Sequence, residues 1–257
     1  MRRIVLTALA LAVALAVAVA GIATAEKPTV VRAGNLVFKI NGGVSPRKLP
    51  RKRLAPITLH AAGNISTTDG TQPPALKEVT IDFDKHGTVN AKGLPVCKPG
   101  KLQATDTQHA KRACPDAIVG SGKTRVRVAF PDQAQFVSSG PLVLFNGGVR
   151  GGVTTMYIHA YVNVPAPTAI VTRVKIKKIH KGRYGTRAVA TIPVIAGGSG
   201  SVVQFNLAVH RRFKRHGKKQ SYLLARCANG HFFAHAIAKY RDGRTVVGNV
   251  VRACTPR

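Results

Sequence analysis

Apolar and polar residues alternate with period two along most of the chain, and this pattern constrains the fold more than any other feature of the sequence. The alternation is clear over residues 79–84 and 156–163. It is typical of half-buried strands, whose successive side chains point to opposite faces of a sheet. Turns that contain glycine separate these stretches, and Asn229-Gly230 and Asp242-Gly243 are strong hairpin signals. The sequence therefore predicts an all-β fold, an antiparallel β-sandwich of about a dozen strands.

One short helix is predicted within this β-structure, over residues 106–113. Thr105 is its expected N-cap, Gln108 occupies the capping-box position, and Pro115 follows the end of the helix. Stretches with Pro and Gly indicate loops at residues 45–56, 164–168 and 196–201. The loop at 164–168 is a possible subdomain boundary, and we otherwise expect a single domain over residues 26–257.

The N-terminus has the pattern of a secretion signal. Arg2 and Arg3 precede an uncharged run over residues 4–22, and residues 23–25 supply the small-x-small pattern that signal peptidase cuts. We therefore expect residues 1–25 to be a signal peptide and the protein to be secreted or associated with the cell envelope. The alternative is a retained membrane anchor, although seven of the 19 residues in the run are alanine, which partitions only weakly into lipid.

The chain has four cysteines, an even number, which in an exported protein favours disulfides over metal ligands or catalytic thiols. Three pairings are possible. We favour Cys97 with Cys114 and Cys227 with Cys254, because each bond then closes one local excursion of the chain. A disulfide of this kind stabilises the fold by about 3 kcal/mol through the unfolded state.

Positive charge dominates the composition. Forty Lys and Arg residues stand against nine Asp and Glu residues, which gives a formal net charge of +31. Asp242 is the only carboxylate side chain after Asp132, against 20 basic residues in the same stretch. This balance favours an anionic partner, and it removes most of the carboxylate pairs on which secreted hydrolases depend. We therefore expect a protein that is not an enzyme and that needs no cofactor or metal.

Three clusters of basic residues are the predicted polyanion-binding sites. The first lies in a loop, the second on one face of a strand, and the third on both sides of a hairpin tip. Their members are Arg47, Lys48, Arg51, Lys52 and Arg53; Arg173, Lys175 and Lys177; and Arg211, Arg212, Lys214, Arg215, Lys218 and Lys219. Such clusters can hold phosphates or carboxylates. The alternative is that these charges only keep a secreted protein soluble.

The expected partners follow from the predicted location. Anionic cell-wall polymers and acidic lipid surfaces are the nearest abundant anions for an exported bacterial protein, followed by extracellular nucleic acid. Sequence-specific reading of nucleic acid usually presents a helix to the major groove, and binding of single strands uses stacking aromatic residues. The chain has no Trp, and few Tyr residues lie in the basic clusters. Electrostatic binding without sequence specificity is therefore expected.

A rival prediction is a secreted polysaccharide hydrolase. On one strand Asp82 and Asp84 would lie on the same face about 7 Å apart, within the range of a hydrolytic acid and base. Tyr157, His159 and Tyr161, on one face of another strand, could contact a sugar above them. We favour a solvated strand face for the two carboxylates. A purely structural envelope protein is a third possibility.

Two further patterns are weaker. Residues 117–124 resemble a phosphate-binding loop, but Ala117 replaces its first glycine and a strand pattern follows where a helix is required. We expect Gly120 and Gly122 to form a turn instead. Cys227, His231 and His235 have zinc-ligand spacing on a helix, which Asn229-Gly230 would break.

Several stretches of the chain resemble a group of secreted basic proteins from high-GC Gram-positive bacteria that has no assigned activity. The matching stretches are LAPITLHAAGNISTTDG, PPALKEVTIDFDKHG, GLPVCKPGKLQAT, NVPAPT and IAGGSGS. The resemblance implies export and β-structure. It implies no cofactor and no site residues.

Overall fold

A computed structural model describes residues 27–103, 105–163 and 166–257. The predicted signal peptide, residues 1–25, lies outside the described residues, as do residues 164 and 165 of the possible subdomain boundary. None of the helices in the described part of the chain has the length and apolar character that crossing a bilayer requires.

The described residues form nineteen strands and one α-helix, with short 3-10 turns at Pro99–Lys101, Pro115–Ala117 and Ala196–Gly198. The helix α1 spans Thr107–Ala113. The strands are β1 Thr29–Ala33, β2 Leu36–Ser45, β3 Lys48–Leu49, β4 Ala55–Pro56, β5 Thr58–Thr67, β6 Leu76–Asp84, β7 Gly87–Val89, β8 Ile118–Val128, β9 Phe136–Arg150, β10 Val153–Val162, β11 Thr168–Lys181, β12 Tyr184–Thr191, β13 Gly200–Val209, β14 Arg212–Arg215, β15 Lys218–Ser221, β16 Leu223–Ala225, β17 His231–Tyr240, β18 Thr245–Ala253 and β19 Thr255–Pro256.

Twelve strands form one antiparallel sheet in the order β1-β2-β5-β13-β8-β9-β10-β11-β12-β6-β17-β18. The sheet curls until it is nearly barrel-shaped, so its two halves face each other as two layers. The first and last strands meet at a seam, where the Thr29 hydroxyl donates to the carbonyl oxygen of Asn249 at 3.3 Å. The predicted antiparallel β-structure, its short helix and its disulfides are confirmed.

The core lies inside the curled sheet. Alternate residues of each strand point inward, as the period-two pattern requires, and Leu144, Met156 and Val174 pack there with side chains from neighbouring strands. A second group of buried residues, which includes Leu36 and Tyr240, continues this core towards the seam. Both groups contact Phe205. The interior is therefore one apolar volume enclosed by the whole sheet.

A segment over residues 97–117 covers part of the outer face of the sheet. The disulfide Cys97–Cys114 closes it, and α1 packs with Val143 and Phe145 of β9. The helix begins one residue later than predicted because Asp106 is its N-cap and its carboxylate accepts from the backbone N–H of His109 at 2.9 Å. The predicted cap, Thr105, has its carbonyl oxygen 3.0 Å from Nε2 of His159 in β10.

The second disulfide, Cys227–Cys254, joins the segment after β16 to the end of β18. Both predicted pairings are therefore correct. Disulfides form and persist in oxidising environments, so they indicate that the protein folds in one. Three small sheets lie beside the main one: β14 with β15, β4 with β16 and β7, and β3 with β19.

Two turn predictions are wrong. Gly120 and Gly122 lie within β8 rather than in a turn, and a Cβ on Gly122 would come within 2.0 Å of the carbonyl oxygen of Asn206. These glycines allow β8 and β13 to approach closely. Asn229-Gly230 does not join a hairpin, because the strands on either side, β16 and β17, belong to different sheets. Asp242-Gly243 does join a hairpin, between β17 and β18.

Candidate polyanion-binding surface

The first basic cluster lies in the segment that connects β2 to β5. Its five members are all exposed. The backbone of this segment is tied to the C-terminus: the N–H of Thr255 donates to the carbonyl oxygen of Arg47 at 2.9 Å, and the N–H of Arg51 donates to that of Arg257 at 3.2 Å. The neighbouring disulfide holds the C-terminal strand itself. A loop rich in like charges is thus fixed in place by backbone contacts.

The third cluster forms the hairpin β14–β15, which follows β13. In its register Lys214 lies opposite Lys219, and Arg215 lies opposite Lys218. Like charges directly across an antiparallel pair destabilise it. At the base of the hairpin, Arg211 has a carboxylate partner in Asp116, at 3.4 Å. The hairpin therefore places positive charges directly opposite each other, at positions where opposite charges would stabilise the strand pair.

Strand direction brings these two clusters to the same end of the sheet. β2 and β13 both pair antiparallel with β5, so they run parallel to each other and finish at the same end. Ser45 at the end of β2 lies opposite Thr58, and Val209 at the end of β13 lies opposite Leu59. The two clusters therefore begin two strand spacings apart, about 10 Å. We call this end of the sheet, where β2, β9, β11 and β13 finish, the cationic end.

The second cluster runs away from this end along the outer face of β11. Arg173, Lys175 and Lys177 are exposed and alternate with the inward-facing Val174 and Ile176. Lys177 lies opposite Val153, close to the cationic end, whereas Arg173 lies opposite Thr191 at the far end of β12. The structure thus extends the cationic end by Lys177 and, less closely, Lys175, but it does not bring Arg173 there.

Further basic residues that were not among the predicted site residues also lie at the cationic end. They come from strand ends and connections there: Lys85, Arg150, Lys178, Lys181, Arg183, Arg226, Arg252 and Arg257. Knowledge of the strand order identifies them, because each follows or precedes a strand end on this side. The sequence shows that these turns are basic, but it does not show the strand order that places them at one end.

Exposed carboxylates are placed mainly at the opposite end. Asp69 lies in the turn after β5, Asp132 between β8 and β9, and Asp242 in the turn after β17. Among the described residues of the cationic end, the carboxylates of Asp82 and Asp84 are buried, and the exposed Asp116 pairs with Arg211. The charge asymmetry along the sequence is therefore also an asymmetry between the two ends of the fold.

Asp82 is not the solvated side chain that the strand pattern predicts. Only 1% of the residue is exposed, and Arg187 on the neighbouring strand donates to both carboxylate oxygens, at 2.6 and 2.8 Å. These hydrogen bonds lower the pKa of Asp82 below its ordinary value of 3.8 and keep the group ionised. The partner is 105 residues away in sequence, so strand alternation alone gave no sign of it.

Asp84 is buried as well and accepts hydrogen bonds from its surroundings. One oxygen accepts from the backbone N–H of His86 at 2.9 Å and lies 2.8 Å from its Nδ1, and the other accepts from the N–H of Phe233 at 3.3 Å. The strand that carries Tyr157 is separated from β6 by β11 and β12. The structure does not bring together the groups that the predicted hydrolase site combined.

The remaining candidate groups have structural surroundings. His159 is 0% exposed beneath the segment over residues 97–117, and burial lowers its pKa below 6.5. It cannot line a sugar-binding face. Cys227 is bonded to Cys254 and cannot ligate a metal as a thiolate. The part of the chain that the structure describes contains no group of three or more His, Cys, Asp or Glu side chains with metal-binding geometry.

Comparison of the chain with protein-family models, with curated proteins and with solved structures finds no match.

Proposed function

We propose that this protein is a secreted, non-enzymatic protein that binds an anionic polymer of the cell envelope, or another extracellular polyanion, through its cationic end. The observation that carries the proposal is the common origin of two basic clusters, at the ends of β2 and β13 about 10 Å apart. Charges that converge on one end can contact one polymer at several points. Scattered charges that serve only solubility have no reason to converge.

The chemistry of such binding is electrostatic. Each Lys or Arg that contacts a phosphate or carboxylate releases condensed counterions, so affinity falls steeply as salt rises. The loop of the first cluster is anchored by backbone hydrogen bonds to the C-terminal segment, and the third cluster lies on a paired hairpin. Binding therefore orders long side chains but little backbone, which keeps the entropic cost of association low.

The opposed like charges on β14 and β15 support the same proposal. Lys214 opposite Lys219 and Arg215 opposite Lys218 cost stability in the free protein, by about 0.2–1 kcal/mol for each pair. An anionic polymer across the hairpin relieves this repulsion. A hairpin selected only for folding would place opposite charges at these positions.

The test is retention of the purified protein on immobilised heparin, isolated wall polymer and duplex DNA over a series of salt concentrations. We expect retention on at least one of them at low salt and a steep decrease in retention as salt rises. If the protein passes through all three at low salt, the proposal is wrong.

A further inference from the structure

A group of rings and cations lies on the outer face of the sheet at the cationic end. The guanidinium of Arg183, in the turn before β12, lies over the ring of Phe233 in β17, 4.5 Å from its centroid. The His231 ring is 6.4 Å from that of Phe233, and the Tyr184 ring is 6.2 Å from that of His235. We call these five residues the stacking group.

The stacking group is on one face because of the register of its strands. His231, Phe233 and His235 occupy alternate positions of β17, and Phe232 between them packs instead against the small apolar cluster around the disulfide Cys227–Cys254. Tyr184 lies opposite Asp84 at the start of β12, which pairs with the same strand β6 that pairs with β17. Arg183 and His231 are exposed, and the other three rings are half-buried. The stacking group therefore combines three half-buried rings with two planar side chains, those of Arg183 and His231, that are accessible to a ligand.

Cations surround this surface. One row across the outer face runs from Lys177 to Arg187, Asp82 and His235, because each of these residues lies opposite the next on the neighbouring strand. Lys178 and Lys181 follow along β11 towards the end of the strand and are exposed. Arg187 is engaged by Asp82 and Lys181 is close enough to Asp82 to help lower its pKa, whereas Lys177 and Lys178 form no ion pair with a carboxylate of the described residues.

We infer that the polyanion bound at the cationic end is single-stranded nucleic acid, with unpaired bases stacked on the guanidinium of Arg183 and on the ring of His231. This inference rests on the proposed function and names its ligand class. Proteins that bind single strands combine a cationic track for the backbone with planar side chains on which bases stack. The guanidinium of Arg183 is already held over the ring of Phe233, so stacking of a base on it needs little further ordering of the side chain.

The alternatives account for less of the surface. An anionic polysaccharide or a wall polymer uses the lysines but has no aromatic face to stack on a guanidinium. Duplex DNA keeps its bases stacked inside the helix and contacts the protein through phosphates. A sugar can pack its C–H face on the ring of His231, but only a polymer with unpaired bases offers a planar π face to the guanidinium of Arg183 as well as phosphates to the lysines.

The test compares three fluorescent ligands: an oligothymidylate, an abasic oligonucleotide of the same length, and heparin. The abasic strand carries the same phosphates without bases. At about pH 8 we expect the oligothymidylate to bind at least about 10-fold more tightly than the abasic strand. Equal affinities for the two strands overturn the inference while leaving the proposed function intact. Absence of binding to all three ligands at low salt overturns both.

Two variants localise the effect. Arg183→Lys keeps the charge and removes the planar group, so we expect affinity for the oligothymidylate to fall by about 5-fold or more and affinity for the abasic strand to stay unchanged. Arg32→Lys is the matched control, because Arg32 is an exposed arginine on a strand but lies towards the opposite end. Phe233→Leu, with its fold checked by circular dichroism, is expected to behave like Arg183→Lys. If Arg183→Lys and Phe233→Leu both retain the affinity of the wild type for the oligothymidylate, the bases do not stack on this group and the inference is wrong.

Discussion

Arg187 holds Asp82 in a bidentate ion pair on the outer face of the sheet, although the carboxylate is almost completely buried. Breaking a buried pair from one side leaves an uncompensated charge, which costs more than the pair itself contributes. One of only nine acidic residues in the chain thus neutralises a cation in the middle of a basic surface. We interpret Asp82 as part of the fold rather than as a catalytic acid or base.

Arg187→Gln should lower the free energy of unfolding by about 2–3 kcal/mol, because Asp82 then stays buried without its strongest donor. In the wild type the pKa of Asp82 is depressed in the folded state, so its contribution is present above pH 3.8 and is lost as the pH falls towards the lower folded pKa. Urea titrations between about pH 2 and 6 measure both effects. A variant with wild-type stability and the same acid dependence contradicts this role.

At the scale of elements, the pairing of β8 with β13 depends on two glycines that the sequence pattern did not explain. A Cβ on Gly122 would lie 2.0 Å from the carbonyl oxygen of Asn206 and 2.8 Å from the Cα of Leu207. Both atoms are backbone, so neither can rotate away. The resemblance to a phosphate-binding loop is thus a by-product of small residues needed for close approach of the strands.

Gly122→Ala should destabilise the protein by more than about 2 kcal/mol, because the strands must separate to admit the methyl group. Gly100→Ala is the control: a Cβ there meets nothing within 4 Å, and we expect a change within about 0.5 kcal/mol. Thermal and urea unfolding of the two variants distinguishes them. Equal stability of both would show that β8 and β13 are not packed as described.

Elements with a local signal were predictable from the sequence. Alternation located the strands, and the spacing of Cys97, Cys114, Cys227 and Cys254 indicated both disulfides because each pair closes a short excursion. Contacts between distant segments were not predictable. Arg183 and Phe233 meet only because β12 and β17 pair with the two sides of β6, and period-two alternation contains no information on strand order.

At the scale of the molecule, the charges behind the net value of +31 are distributed unevenly between the two ends of the fold. Connections at one end of the curled sheet carry the first and third basic clusters, and connections at the other end carry Asp69, Asp132 and Asp242. The sequence showed that carboxylates become rare after Asp132, but it could not show that basic residues before and after this point converge. That convergence follows from the parallel course of β2 and β13 on either side of β5.

The most direct test of this polarity compares two triple variants with the same net charge. Arg53→Gln, Lys214→Gln and Lys219→Gln remove three exposed cations from the cationic end, and Arg32→Gln, Lys77→Gln and Arg125→Gln remove three exposed cations towards the opposite end. Affinity for a short duplex DNA is measured by fluorescence anisotropy over a series of salt concentrations. Any difference between the variants then reports position rather than total charge.

We predict that the first triple variant binds more weakly and that its slope of log affinity against log salt is shallower, by up to about 0.9 for each phosphate that the variant no longer neutralises. The second should retain a slope close to that of the wild type. Equal decreases in affinity and slope in the two triple variants would contradict the account, because they would show that binding depends on net charge and not on the cationic end.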